Sequence, residues 1–255
     1  MTIDYRVVDD IDGLNRIVDL EVEIWGLEWR DAVPANIMRA ITNNGGVAIG
    51  AYDADSMIGM AFAFPAFREN QPILWSHMTA VLPAYQGRGI GAAIKHTQRL
   101  WAQVHGYTQL RWTFDPIQRG NAHFNLTELG AVAVNYHVNF YGVMNDAINQ
   151  GMPSDRLETR WNIQQAAADA TNDFQLSTSL LTSQESHPVS SFPDTSPDNV
   201  TITIPRSIRG FSHQALLDWR FALRAAFQWA FEHDYQAHSF YDDADKGVYL
   251  LSRIR

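Results

Sequence analysis

Three glycines that alternate with other residues at the start of a predicted helix constrain this 255-residue chain more than any other feature. They lie at positions 87, 89 and 91, between a strand predicted over 72–81 and a helix predicted over 89–104. Glycine adopts positive φ without strain, so the N–H groups of such a turn can point into one concave space. The first turn of a helix adds unpaired N–H donors and a partial positive charge. The segment therefore predicts a seat for a diphosphate, supplemented by Arg88.

Three interpretations of this glycine turn compete. A Walker loop is excluded because no Gly-Lys-Ser/Thr sequence follows. A dinucleotide fingerprint fits the spacing of Gly87, Gly89 and Ala92. Such a fingerprint, however, belongs in the first βα turn of a domain, with an acidic residue about 20 positions later. Here five predicted elements come first, and Asp115 lies too far along the chain. A plain turn without a ligand is the third interpretation.

Hydrophobic periodicity and turn residues predict the other elements. Before the glycine turn they predict strand, helix, helix, strand and strand, at 2–8, 10–25, 34–42, 47–52 and 57–64. After the helix at 89–104 they predict a strand, a helix and a strand, at 109–114, 121–129 and 131–136. A C-terminal strand, long helix and two strands follow, at 200–204, 212–233, 237–241 and 248–252. This order predicts an α+β fold with a mixed sheet.

The motif made by Gln86, Gly89 and Gly91, preceded by Val81 and Pro83, resembles motif A of the GNAT N-acyltransferase superfamily. The predicted element order from residue 2 to about residue 142 is also similar to that family. Shorter stretches resemble a bacterial group of predicted GNAT proteins with a C-terminal extension, namely Trp75-Ser76-His77-Met78, Asn121-Ala122 and Trp219-Arg220. The resemblance implies a GNAT-like mixed, splayed sheet flanked by helices, followed by a strand–helix–strand–strand extension.

The resemblance also implies an acyl-CoA donor, acetyl-CoA or another short acyl-CoA, as cosubstrate. Its pantetheine arm would pair with the backbone of Thr79, Ala80 and Val81, next to a splay between the strands at 75–81 and 109–114. Its diphosphate would rest on the main-chain N–H groups of Gln86, Gly87, Arg88, Gly89, Ile90, Gly91 and Ala92. Asn121 and Asn125 would hydrogen-bond the arm, although Asn121 alternatively caps its helix.

Acyl transfer to an amine needs a base, because a lysine-like amine with a pKa of ~10.4 is almost wholly protonated at pH 7. His77, on the strand that leads to the glycine turn, is the first candidate; the alternative is a hydrogen-bonded histidine buried in the sheet. Asp115 is the second candidate, although Asp115-Pro116 also serves to end a strand. The chain has no cysteine, which excludes a cysteine acyl-enzyme and indicates direct attack in a ternary complex.

The resemblance implies a tyrosine as general acid, but Leu126 occupies its usual position. Tyr141 or Tyr136 would substitute, and a buried aromatic ring is the alternative for either. We therefore expect transfer of acetyl, or a small acyl such as succinyl, to a small-molecule amine. The missing tyrosine keeps a second hypothesis open: a catalytically silent acyl-CoA-binding sensor or regulatory module.

Composition narrows the classes of partner. The net charge of −9 argues against nucleic-acid binding, which needs a basic face. The nine histidines show no metal-ligand spacing, so no metal is expected. The N-terminal residues do not resemble a signal peptide, and no apolar run is long enough to span a bilayer. We therefore expect a soluble, cytoplasmic protein without a membrane partner.

The composition changes at 164–198, which predicts a linker or long surface excursion there. The resemblance then implies an acyltransferase domain at 1–163, followed after the linker by a C-terminal extension at 199–255. The extension would pack on the core or on a second subunit, so a homodimer is one of two alternatives.

Arg220 and Arg224, one helical turn apart, would clamp an acceptor carboxylate or else pair with acids such as Asp218 or Glu232. The aromatic side chains of Trp75, Trp112 and Phe114 have two interpretations. They line the acceptor side of the site, or, as their strand spacing also allows, they belong to the hydrophobic core.

Overall fold

The computed structural model describes residues 2–142, 151–164, 177–242 and 245–254, which divide between two units. The first unit holds residues 2–112 and 162–164. The second holds the described residues of 113–142, 151–161 and 177–254. The boundary therefore falls at Trp112, earlier than the expected end of the catalytic domain at residue 163.

Five strands form the sheet of the first unit in the order β1-β2-β3-β4-β5. The first four are antiparallel neighbours, whereas β5 runs parallel to β4. Their bounds are β1 Ile3–Val7, β2 Val47–Asp53, β3 Ser56–Arg68, β4 Gln71–Val81 and β5 Gln109–Phe114, whose last two residues are in the second unit. Three helices accompany them: α1 Ile11–Trp25, α2 Ala35–Thr42 and α3 Ile90–Val104.

Helix α1 of the first unit begins and ends at residues that cap it. The Asp10 carboxylate accepts the N–H of Gly13 at 2.7 Å, which satisfies one free donor of α1. Gly26 adopts the left-handed conformation and ends the same helix. The buried side chains of α1, among them Leu14 and Ile17, pack with Met38 of α2 in one apolar cluster. The predicted α+β order is thus confirmed here.

The second unit carries the strand order β7-β6-β11-β12-β10-β8-β9. The strand bounds are β6 Val132–His137, β7 Arg156–Asn162, β8 Thr178–Gln184, β9 His187–Ser190, β10 Asn199–Pro205, β11 Tyr235–Asp242 and β12 Lys246–Arg253. Its helices are α4 Arg119–Ala122, continued by a π-helical turn at His123–Glu128, and α5 His213–Glu232. Trp219, Leu223 and Phe227 of α5 are fully buried in its core. The predicted C-terminal strand–helix–strand–strand order is confirmed by β10, α5, β11 and β12.

The linker predicted at 164–198 is replaced, over residues 178–190, by the hairpin of β8 and β9. Its turn residues Glu185 and Ser186 both have positive φ, and β8 runs parallel to β10. Only Leu180 and Leu181 are apolar in β8, so the sequence shows no strand period. Residues 165–176 of that segment lie outside the described residues.

Strand β7 was not predicted either, because its sequence is mostly polar. Three of those polar residues, Arg156, Glu158 and Thr159, are nevertheless buried. Glu158, for example, lies 2.7 Å from the Nε2 of His137 on β6. No helix in the described parts of the chain combines the length and the apolar character needed to cross a bilayer.

Candidate active site

Strands β4 and β5 part after two paired positions. Leu74 pairs with Leu110 and Trp75 with Arg111, and these are the pairs that join the two strands within the described residues. From Ser76 to Val81, β4 continues its pairing with β3 alone. The main-chain groups of this stretch that point away from β3 therefore face the gap. The expected splay is present, and we call the point of parting the fork.

A β-bulge lies directly beyond the fork. Phe62 pairs with Met78 and Ala63 with Ser76, so His77 is the extra residue of β4. A bulge leaves one residue out of the ladder and turns its side chain in a new direction. The ring of His77 is half-buried and lies 5.8 Å from the Phe64 ring, between centroids. Burial lowers the pKa of His77 below its usual 6.5, so the imidazole is neutral at pH 7.

The glycine turn opens onto free space at the start of α3. Gly87 and Gly89 have φ of 72° and 74°, a conformation that disfavours other residues. A Cβ added to either would meet no described atom within 4 Å. The first helical hydrogen bond runs from Ala93 N–H to Gly89 C=O, and no described side chain caps the helix start. The earlier N–H groups of α3 are therefore free to bind an anion, so the turn fits a diphosphate.

Side chains of the glycine turn and of β4 make hydrogen bonds to nearby main-chain carbonyls. The Gln86 Nε2 donates to the Val81 carbonyl at 2.9 Å, which fixes the turn to the end of β4. Arg88 donates to the Ala84 carbonyl at 3.0 Å and lies over the Tyr85 ring. The hydroxyl of Thr79 donates to the Met78 carbonyl at 2.8 Å. The expected diphosphate and pantetheine residues thus lie on the continuous stretch of chain from β4 into α3.

Sequence reasoning missed Lys95, a fully buried lysine of α3. Its Nζ lies 2.9 Å from the Ser76 Oγ, 3.3 Å from the Gln98 Oε1 and 3.7 Å from the centroid of the Trp112 ring. Burial lowers the pKa of Lys95 to about 7. A signal existed in the sequence, because Lys95 and Gln98 lie on the apolar stripe of α3, which also carries Ile94.

The second unit places Asp115 in an ion pair. Arg220 donates to both of its oxygens, at 2.6 and 3.0 Å, and Oδ1 also accepts the Ile117 N–H. Both oxygens accept hydrogen bonds in a buried ion pair, which argues against Asp115 as the base. Arg220 is likewise committed and does not clamp an acceptor. Arg224 pairs with Asp155 at 2.9 and 3.1 Å, so both arginines pair with acids, though not with the two expected.

The two candidate tyrosines differ in exposure. Tyr141 is 41% exposed, which contradicts the buried alternative, and its hydroxyl lies 3.5 Å from the Thr113 Oγ1. Tyr136 is buried and donates to the Asp155 carboxylate at 2.8 Å. Burial raises the pKa of Tyr136 well above 10, so this hydroxyl holds its proton. Of the two, only Tyr141 remains a candidate acid.

The remaining candidate residues differ in position and burial. Asn121 is exposed within α4, whose N-cap is Gln118, so the capping alternative is wrong. Asn125 is buried in the π-helical turn. Trp75, Trp112 and Phe114 are each at least 94% buried, which assigns them to the core. The described residues hold no group of three His, Asp or Glu side chains placed to bind a metal.

A mixed α+β sheet with two splayed strands, and a glycine turn that opens a helix beside them, defines the class of acyl-CoA-dependent acyltransferases. Residues 14–126 match the Acetyltransferase (GNAT) family. No match to a protein of curated function was found.

Solved structures share the fold at low sequence identity. Arabidopsis thaliana NAA60 in complex with acetyl-CoA aligns with a TM-score of 0.52 and 15% identity, over 64% of this chain and 100% of that one. Arabidopsis thaliana Naa50 in complex with the bisubstrate analogue CoA-Ac-MVNAL gives 0.51 and 14%, over 64% and 99%. The aminoglycoside 6'-acetyltransferase type Ii gives 0.50 and 17%, over 65% and 99%. At these identities the likeness establishes the fold.

Proposed function

We propose that this protein transfers an acetyl group, or a small acyl group such as succinyl, from an acyl-CoA to the amine of a small molecule. The observation that carries the proposal lies in the first unit. The fork and the open glycine turn stand at the two ends of one segment, β4 through the start of α3. A splayed strand suits an extended thioester arm, whereas a dinucleotide would need a continuous parallel sheet.

The donor would be held mainly by main-chain groups. Between Thr79 and Val81, the main-chain groups that point away from β3 face the gap and would pair with the arm, and the N–H groups of the glycine turn would receive the diphosphate. When bound, the donor supplies an activated acyl group. Main-chain N–H donors beside the gap are fixed by the β3 pairing, so they can stabilise a developing oxyanion without reorganisation.

His77 is the proposed base. Its lowered pKa keeps the imidazole neutral at pH 7, ready to take the proton that an attacking amine must lose. The bulge at this position turns the side chain out of the regular ladder. Tyr141, with its exposed hydroxyl, is the proposed acid for the leaving thiolate.

A small-molecule acceptor is supported by charge and by one relative. The net charge of −9 favours cationic substrates over anionic ones. Among the similar structures, one is an aminoglycoside acetyltransferase and another holds a peptide-bearing bisubstrate analogue. An acceptor screen should therefore contain both small amines and peptides.

The test is a screen of the purified protein with acetyl-CoA and succinyl-CoA against such a panel. Thiol release identifies turnover, and mass spectrometry identifies the acylated product. Turnover of a small amine with loss in His77→Gln supports the proposal. Acyl-CoA binding by calorimetry without turnover of any amine supports the silent sensor instead. Lack of binding by every acyl-CoA tested overturns both.

A further inference from the structure

The side chain of Lys95 fills the fork between β4 and β5. Trp75 and Arg111 form the last pair of these strands, so Ser76 and Trp112 are the first residues beyond it. Lys95 contacts both of them, through a hydrogen bond to the Ser76 Oγ and a cation–π contact with the Trp112 ring. One side chain of α3 therefore binds the two strands where they part.

This lysine is in an unfavourable place for stability. It is 2% exposed, and within the described residues no carboxylate lies within 4 Å of its Nζ. Among the residues that the structure describes, its Nζ has Ser76 and Gln98 as polar partners, and the Gln98 Nε2 has no described partner. Burying an ammonium without a counterion costs free energy that an apolar side chain of the same length would not cost. A group that opposes stability at such a position points to function.

Lys95 also lies on the helix that begins with the glycine turn. α3 starts at Ile90, and Lys95 follows little more than one turn later. Its bond to Ser76 holds the main chain directly before the bulge at His77. The same side chain thus connects the diphosphate seat, the fork and the strand that carries the proposed base.

We propose that Lys95 is a positioning residue for acyl transfer, which fixes the distance from the glycine turn to the fork and so places the acyl group for attack. The inference rests on the proposed function. Acyl transfer requires near-attack geometry, and a shift of about 1 Å can slow such a reaction about 100-fold. Donor affinity, in contrast, is spread over many main-chain contacts and should change little.

The test compares Lys95→Met with Lys246→Met, which changes the only other lysine of the chain, at an exposed site. For Lys95→Met we expect kcat to fall by at least about tenfold, the Kd for CoA to change less than about threefold, and the melting temperature to hold or rise. Lys246→Met should match the wild type in all three.

Ser76→Ala and Trp112→Leu each remove one contact of Lys95 and serve if Lys95→Met fails to fold. Each should lower kcat with little change in the Kd for CoA. A wild-type kcat in Lys95→Met overturns the inference, and so does a fall in melting temperature that accompanies lost CoA binding in all three variants. Wild-type protein that neither binds nor turns over acyl-CoA overturns the proposed function, and the inference with it.

Discussion

Arg220 and Asp115 form a buried bidentate ion pair, with Nη1–Oδ1 and Nη2–Oδ2 distances of 2.6 and 3.0 Å. Asp115 follows β5 and Arg220 lies on α5, so the pair joins two distant parts of the chain within the second unit. The sequence left a chemical and a structural role open for each residue, and the pair favours the structural one. Each charge is tolerated because the other compensates it.

Arg220→Met should therefore destabilise the protein by about 3–5 kcal/mol, because it leaves the Asp115 carboxylate buried without its partner. Urea denaturation at pH 7 measures the change. Arg209→Met, at an exposed arginine, is the control and should shift stability by less than about 0.5 kcal/mol. If both variants had the same midpoint, the ion pair would have no structural importance.

Gly89→Ala tests the diphosphate seat. At its φ of 74° a side chain costs about 1–2 kcal/mol, and the new methyl group would occupy the space proposed for the ligand. Gly106→Ala is a matched control at the other end of α3, with a φ of 79° and no described neighbour. We expect similar losses of stability in both and a loss of CoA affinity of at least about tenfold in Gly89→Ala alone. Equal CoA affinities would refute the seat.

Local signals made much of the first unit predictable. Asp10 and Gly26 limit α1, and the alternating glycines mark the start of α3, because each acts on its own neighbours in the chain. The contacts of Lys95 with Ser76 and Trp112 join residues that are far apart in sequence. No local pattern reports such a cluster, although a lysine on an apolar stripe indicates that one exists.

The second unit was less predictable for a related reason. A buried strand usually shows apolar residues, but β7 buries charged side chains whose partners lie on other elements. Asp115 looked catalytic because it ends a strand beside the expected splay, and its partner stands 105 residues later. Burial of polar groups depends on such distant partners, which a sequence alone does not pair.

His77→Gln should lower kcat by about 100-fold or more if His77 is the base. In the wild type, kcat/KM should rise with pH through a pKa below 6.5, because protonation of the imidazole removes the base. That limb should be absent in the variant. His213→Gln, at an exposed histidine, should retain both kcat and the limb. If His77→Gln kept this rise of activity with pH, the rise would belong to the titration of another group.

Tyr141→Phe tests the proposed acid. Its hydroxyl is exposed, so removal should leave the melting temperature unchanged while kcat falls by about 10- to 100-fold. A thiol of lower pKa leaves as the thiolate with less help from an acid. With a donor that releases such a thiol, the difference in kcat between Tyr141→Phe and the wild type should therefore become smaller. An unchanged kcat with acetyl-CoA would remove Tyr141 from the mechanism.

Lys95 should also make stability depend on pH in a direction opposite to that of a lysine whose pKa is raised by an acidic partner. Its pKa is about 7 in the folded protein and 10.5 in the unfolded chain. Between these values the unfolded chain binds the extra proton, so the free energy of unfolding rises with pH, by up to about 1.4 kcal/mol per pH unit. Below pH 7 both states are protonated and the contribution is constant.

Lys95→Met lacks this titration. Its advantage in stability over the wild type should therefore be largest at pH 6 to 7 and shrink towards pH 10, which denaturation curves at several pH values measure. Lys246→Met, with its exposed side chain, should follow the wild type throughout. A difference between Lys95→Met and wild type that stays constant from pH 6 to 10 would mean that Lys95 keeps an ordinary pKa. Its burial would then be offset by contacts stronger than the Ser76 bond and the Trp112 ring.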